Sequence, residues 1–273
     1  MTVRTNMQSE QKIEVQTGDR FNFGDNWAGF LSTLDEEQID AAEFSLKRML
    51  RITSLAGKTF LDIGSGSGLF SLAARRLGAS VHSFDYDPRS VWCTHKLKQR
   101  YFFGDGDWVV EEGSVLDRDY LTNLGKFDIV YAWGVLHHTG RMWESFKNIC
   151  LCVAPTGKLF IAIYNNQGWV SRYWTLVKKT YNRKKFGRIL MISLHAPYLL
   201  GLRYLSRVLT GRLSMERGMS IYWDMIDWLG GYPFETAKPE DIFHFFRKSG
   251  FVLEELKTCG GRMGCNEFVF QKK

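Results

Sequence analysis

The stretch Phe60-Leu61-Asp62-Ile63-Gly64-Ser65-Gly66-Ser67-Gly68-Leu69-Phe70 decides the fold. A short apolar run ends in three alternating glycines and passes directly into a helical pattern. Such a turn lets a ligand approach the backbone closely. Outward from it the pattern alternates. Strands are predicted at 59–63, 80–85, 108–111, 127–133 and 158–164, with helices at 69–77, 88–101 and 142–153 between them. Pro88 opens one of these helices at its first turn. Strands separated by helices imply a parallel sheet with right-handed crossovers. The alternation stops at Asn165 and resumes near Pro239 with a helix at 240–249 and strands at 251–258 and 267–271. The joint between these last strands is too short for a helical crossover, so the final strand is expected to be antiparallel.

The turn also discriminates between ligands. A dinucleotide fingerprint places its third glycine three residues after the second, where this chain has Leu69; here the third glycine is Gly68. Asp62, at the end of the strand, opposes a pyrophosphate and suits a ligand carrying an ammonium group. S-adenosylmethionine has that amine and no phosphate. The next strand ends in Asp85-Tyr86-Asp87, with Asp85 about twenty residues beyond the glycines, where a carboxylate takes the hydroxyls of an adenosine ribose.

With these residues in register, the sequence resembles the class I S-adenosylmethionine-dependent methyltransferases, particularly small-molecule members similar to the ubiquinone-pathway enzymes. The resemblance covers roughly residues 18–164 and 239–273. It implies an α/β fold with a doubly wound, mostly parallel seven-stranded sheet. It further implies that Asp62, Gly64, Ser65, Gly66 and Gly68 hold the methionine portion, Asp85 the ribose and Tyr86 the adenine edge. Gly113, Ser114 and Val115 follow the third strand where the family contacts adenine, although many members have an acidic residue in place of Ser114. Trp133 lies beside the methionine portion. Phe21, Phe23 and Trp27 resemble a lid over the cofactor. Tyr86, Trp133 and the lid aromatics can equally be read as ordinary packing.

The 273 residues are 45% hydrophobic and 24% charged, which excludes wholesale disorder, and the aromatic share of 15% suggests a cavity or buried cap. No apolar run reaches the roughly eighteen residues of a membrane span, the first twenty residues are polar, and the five cysteines form no CxxC pair. A cytoplasmic protein with reduced thiols is expected. Four parts follow: an N-terminal arm and helical lid (1–57), a cofactor-binding core (58–164), an inserted substrate cap (165–237) and the end of the core sheet (238–273). Residues 1–19 read as a poorly ordered arm, followed by a helix capped near Thr33 or Asp35.

Methyl transfer needs an aligned acceptor and a route for its proton. His137 and His138, directly after the fourth strand, are candidate general bases, with an ordinary imidazole pKa of about 6.5; the alternative is backbone hydrogen bonding at the loop. Tyr164, Asn165, Trp169 and Tyr222 are candidate substrate residues, although asparagines also suit a strand-end turn. The net charge of +7 is confined to the cap, where eleven Lys/Arg face four Asp/Glu over 168–235. Three uses compete: a pocket for a hydrophobic or anionic small molecule, a membrane-surface face admitting a lipid-like acceptor, and an RNA-binding face. The aromatics lie mainly apart from the basic cluster, which favours the pocket over nucleic acid. The leading reading is methyl transfer to an oxygen, or a nitrogen, of a small molecule. The alternatives are an RNA or protein methyltransferase and a cofactor-binding module without turnover.

Overall fold

The computed structural model describes residues 2–183, 185–210 and 221–273, with side chains described outside 2–6, 202–210, 221–224 and 227. Seven strands, β1 (Thr59–Ile63), β2 (Ser80–Asp85), β3 (Trp108–Glu112), β4 (Phe127–Trp133), β5 (Val153–Tyr164), β6 (Phe251–Lys257) and β7 (Cys265–Lys272), form one sheet in the order β3-β2-β1-β4-β5-β7-β6. The first five are parallel, and β7 lies antiparallel between β5 and β6. The expected doubly wound, mostly parallel sheet with an antiparallel last strand is therefore present.

Alternation along the strands fills both faces. Phe60, Ile129, Tyr131 and Phe160 pack on one side with α3 (Glu36–Leu50) and α4 (Leu69–Arg76). Leu61, Ile63, Val130, Leu159 and Ile161 pack on the other with α7 (Met142–Ile149) and α11 (Pro239–Lys248). Between these come α5 (Pro88–Tyr101) and α6 (Arg118–Leu124). Asp35 caps α3 in a reciprocal box with Gln38, as its position before the apolar periodicity suggests. The insertion is built of α8 (Trp169–Arg183), α9 (Lys185–Thr210) and α10 (Ile221–Gly230), and a third apolar cluster joins it to the sheet through Tyr164.

Several expectations need correction. The arm expected to be poorly ordered is helical over most of its described length, as α1 (Thr2–Thr17), and α2 (Phe23–Leu31) follows it. The first of these helices is polar, and it docks by hydrogen bonds: Gln8 donates to Glu112 at 2.7 Å, and the turn at Gly18 returns the Asp19 amide to the Glu14 carbonyl. Helix α6, capped by Asp117, is too short to show a clear period. In the insertion, α9 continues through Pro197. The spacing of Leu202, Leu205, Val208 and Leu209 against Arg203 and Arg207 reads as an amphipathic helix; these side chains, and that of Tyr222, lie outside the described side chains.

Phe246 is fully buried on the α11 face. Phe246→Ala should lower unfolding stability by about 3–5 kcal/mol, whereas Phe103→Ala, at a site that is 88% exposed, should stay within about 0.5 kcal/mol of the parent. Chemical denaturation measures both.

Candidate functional site

Gly64, Gly66 and Gly68 all have positive φ, which lets the chain turn sharply from β1 into α4. Close approach adds a second constraint. A Cβ on Gly66 would lie 2.9 Å from Trp27 Nε1, and one on Gly64 would lie 2.6 Å from the Val135 methyls. The amides of Gly64 and Ser65 donate to the Phe84 carbonyl at 2.8 and 3.1 Å, and Ser65 Oγ pairs with Thr94 Oγ1 at 2.9 Å. The turn is thus tied to the end of β2 and to α5.

Three carboxyl groups surround it. Asp85 accepts from the amides of Gly66 and Asp87, each at 2.9 Å. Its pKa is pushed up to about 7 by burial and by the neighbouring Asp87 charge. Asp62 is 2% exposed and shares the sheet face of Phe60, as the strand period requires. Its carboxylate therefore accepts from Ser71 Oγ on α4 at 2.5 Å, with Ser83 Oγ 2.7 Å further on. Burial pushes Asp62 up to about 7 as well. Asp87 caps α5 by accepting from the Arg89 amide at 2.8 Å, and its other oxygen accepts from the Gly24 amide of α2 at 2.8 Å.

The N-terminal aromatics lie over this turn. Trp27 packs against Gly66, while Phe23 meets Phe21 and His138, each with centroids 4.9 Å apart. Arg20, which sequence reasoning did not select, ties the segment to both sides of the cleft. Its guanidinium stacks on Tyr86 at 4.8 Å and donates to the His138 carbonyl at 3.0 Å and to Glu14 at 2.6 Å. The Tyr86 hydroxyl is pushed up to about 12 by burial and by Glu14.

A ring cluster joins the β4 loop, the end of β5 and the cap. The Tyr164 ring lies 4.1 Å from His137, 4.9 Å from Phe234 and 5.5 Å from Trp228. His138 Nδ1 lies 2.7 Å from the Pro233 carbonyl, to which it donates, leaving Nε2 as an acceptor. The expected near-neutral imidazoles are not found. Burial and neighbouring positive charge push His137 well below its ordinary value and His138 down to about 3. Both are neutral and weakly basic.

Lys178, one of the eleven basic residues of the cap, is fully buried in this cluster. The signal was in the spacing: Trp174, Val177, Lys178 and Tyr181 form the inward stripe of α8. Of the other residues singled out, Gly113 donates to the Asp85 carbonyl at 3.0 Å, Ser114 Oγ accepts from the Leu116 amide, Val115 is buried, and Trp133 packs beside the first core cluster. Asn165 spends its side chain on Asn266 and the Arg262 carbonyl. Trp169 is 77% exposed and outside the ring cluster.

Comparison with known proteins follows the same outline. A family model described as a methyltransferase domain matches residues 36–207. The tRNA U34 carboxymethyltransferase of Methylococcus capsulatus is 31% identical over 122 residues, covering 44% of this chain and 36% of that protein. The ubiquinone biosynthesis O-methyltransferase of Escherichia coli O6:H1 is 25% identical over 175 residues, covering 56% and 69%. The chain thus spans about a third of the first relative's length. The crystal structure of magnesium protoporphyrin IX methyltransferase from Synechocystis PCC 6803, with bound SAH, shares the fold at a TM-score of 0.52 and 14% identity, covering 87% of this chain and 83% of that one.

The buried carboxyl of Asp62 gives a signed prediction. Its folded pKa of about 7 exceeds the unfolded value, so its favourable contribution is present below about pH 4 and is lost as pH rises through 7. The melting temperature of Asp62→Asn relative to the parent, both ligand-free, should therefore rise between pH 4 and 8. A difference that stays flat across that range contradicts the assignment.

Proposed function

Because the chain belongs to the methyltransferase domain family, we propose that it transfers a methyl group from S-adenosylmethionine to an oxygen of a small-molecule acceptor held between the sheet ends and the cap. The observation that carries this reading is the glycine turn ringed by Asp62, Asp85 and Asp87, with the Gly66 amide of the turn itself engaging Asp85. A cradle of this kind suits a ligand with cationic groups and a ribose, and opposes a polyphosphate. When bound, S-adenosylmethionine supplies a methyl on a positively charged sulfur.

The chain's own residues hold and enclose. Asp85 would exchange its amide partners for ribose hydroxyls, Gly64 and Gly66 would admit the ligand to the backbone, and Trp27 and Phe23 would exclude water above it. Tyr86, steadied by Arg20, would border the adenine side, with Gly113 to Val115 on the next strand end. Tyr164, His137 and His138 would form the acceptor wall. As neutral imidazoles, the histidines would orient rather than carry a proton away. The ring cluster behind them favours an aromatic or otherwise apolar acceptor body.

A second reading concerns delivery. Trp169, Leu176, Phe186, Ile189 and Leu194 are exposed on α8 and α9, where the described polar surface includes Arg172, Arg183, Lys185 and Arg188. The sequence has no Asp or Glu from 168 to 215. An apolar face bordered by cations suits an anionic lipid surface. Among the described residues no helix is long and apolar enough to cross a membrane, so contact would be peripheral.

Calorimetry should show S-adenosylhomocysteine binding to the parent, with at least about tenfold weaker binding to Asp85→Ala, the loss of one charge-assisted contact. Radiolabelled methyl should enter the small-molecule fraction of a cell extract; label found only in RNA or protein overturns the acceptor class. Vesicles containing phosphatidylglycerol should sediment the protein, those of phosphatidylcholine should not, and Ile189→Glu should weaken that binding. Equal sedimentation with both lipids removes the second reading.

A further inference from the structure

Two of the five cysteines are placed unlike the rest. Burial pushes the thiols of Cys93 and Cys150 up to about 11 and that of Cys152 up to about 12, so none of these supplies a thiolate at neutral pH. Cys259 and Cys265 stand at the open end of the β6–β7 hairpin. Both are half-buried, and the run 260–263 between them is exposed.

Register brings the pair together. In the antiparallel ladder Leu256 lies opposite Phe268 and Lys257 opposite Glu267. Opposed residues project to one face, and the Lys257 ammonium lies 3.4 Å from the Glu267 carboxylate. The same pairing carried two residues towards the turn sets Cys259 opposite Cys265, on that same face. The backbone ladder has ended there. The Cys259 amide donates to the Asn266 side chain at 3.1 Å, and the Arg262 amide turns back to the Cys259 carbonyl at 3.2 Å. A Cβ on Gly264 would lie 3.3 Å from the Cys259 Cβ, so Cys259 leans onto the chain that leads into Cys265. Opposed strand positions have Cα separations of about 4.5–5.5 Å, within the span of a disulfide.

The loop between the thiols also carries the root of the cap. The Asn165 amide donates to the Gly264 carbonyl at 2.9 Å, its side chain donates to the Arg262 carbonyl, and Gln167 Nε2 donates to the Gly261 carbonyl at 2.7 Å. Asn165 and Gln167 lie in the connection from β5 to α8, and Cys265 packs against the apolar cluster that joins the cap to the sheet. We propose that Cys259 and Cys265 are a reversible disulfide site, closed by a small-molecule disulfide, which locks the loop that holds the root of the cap.

The exchange balances with glutathione disulfide as oxidant. The Cys259 thiolate, beside the exposed run, attacks one sulfur of glutathione disulfide, and a glutathione thiolate leaves with the bonding pair. The Cys265 thiolate then attacks Cys259 Sγ and expels the second glutathione. The two cysteines lose two electrons and two protons, which appear on the two glutathione thiols, and excess glutathione reverses both steps.

The test incubates the full-length protein with glutathione disulfide, blocks remaining thiols with N-ethylmaleimide and digests with trypsin. Cleavage after Lys257, Arg262 and Lys272 places the two cysteines on separate peptides, 258–262 and 263–272. These should appear linked, from an intact monomer about 2 Da lighter than the reduced protein. Cys265→Ser should stop at a glutathione adduct on Cys259. In the oxidised parent the Asn165 amide should exchange with deuterium about tenfold more slowly than in the reduced parent, the effect expected of closing so short a loop. A parent left unmodified, one that keeps glutathione adducts without linked peptides, or one linked through Cys93, Cys150, Cys152 or a second copy overturns the site. Linked peptides with unchanged Asn165 exchange overturn its hold on the cap.

Discussion

The Asp85 carboxylate is gripped by two backbone amides, one from the glycine turn after β1 and one from the residue that opens α5. The cleft is organised around that grip. It can form only because Gly66 turns its amide outward with a φ of 56°, in a backbone region that costs side-chain-bearing residues free energy. The same glycine leaves room for Trp27, so one position without a side chain aligns the strand end, the turn and the covering helix.

Charge is distributed along the cleft in a consistent way. At the β1 and β2 ends, burial raises the pKa of two carboxyls, leaving them ready to be stabilised by a cationic ligand. At the β4 and β5 ends a buried lysine lies beside two neutral imidazoles. Each half is costly to fold alone, and the surrounding apolar clusters, with Phe60, Phe160, Phe246 and Phe268 fully buried, provide the compensating burial.

Much of this was legible in the sequence, and the limits have physical causes. The β1, β2, α5 and β4 boundaries are marked by strong local signals: an apolar run into glycines, an Asp-Pro cap, an apolar run into Trp133. Helix α1 escaped because its stability comes from docking contacts such as Gln8 with Glu112, which have no sequence period. The orientation of Asp62 was in fact available, since it shares parity with Phe60 and must face α4. The histidines' basicity was not, because it is lowered first by burial in the folded ring cluster and then by Lys178, forty residues away in the chain, which reads as a surface charge until α8 is wound and its stripe appears. Arg20 likewise gains its role only when Tyr86 and His138 converge on it.

The two oxygens of Asp87 divide their labour: one serves the Arg89 amide, the other the Gly24 amide. A change at Asp87 therefore reaches two elements at once: it uncaps α5 and removes one of the contacts that seat α2, which is otherwise held by Trp27 against Gly66, Phe23 against His138 and the buried Phe30.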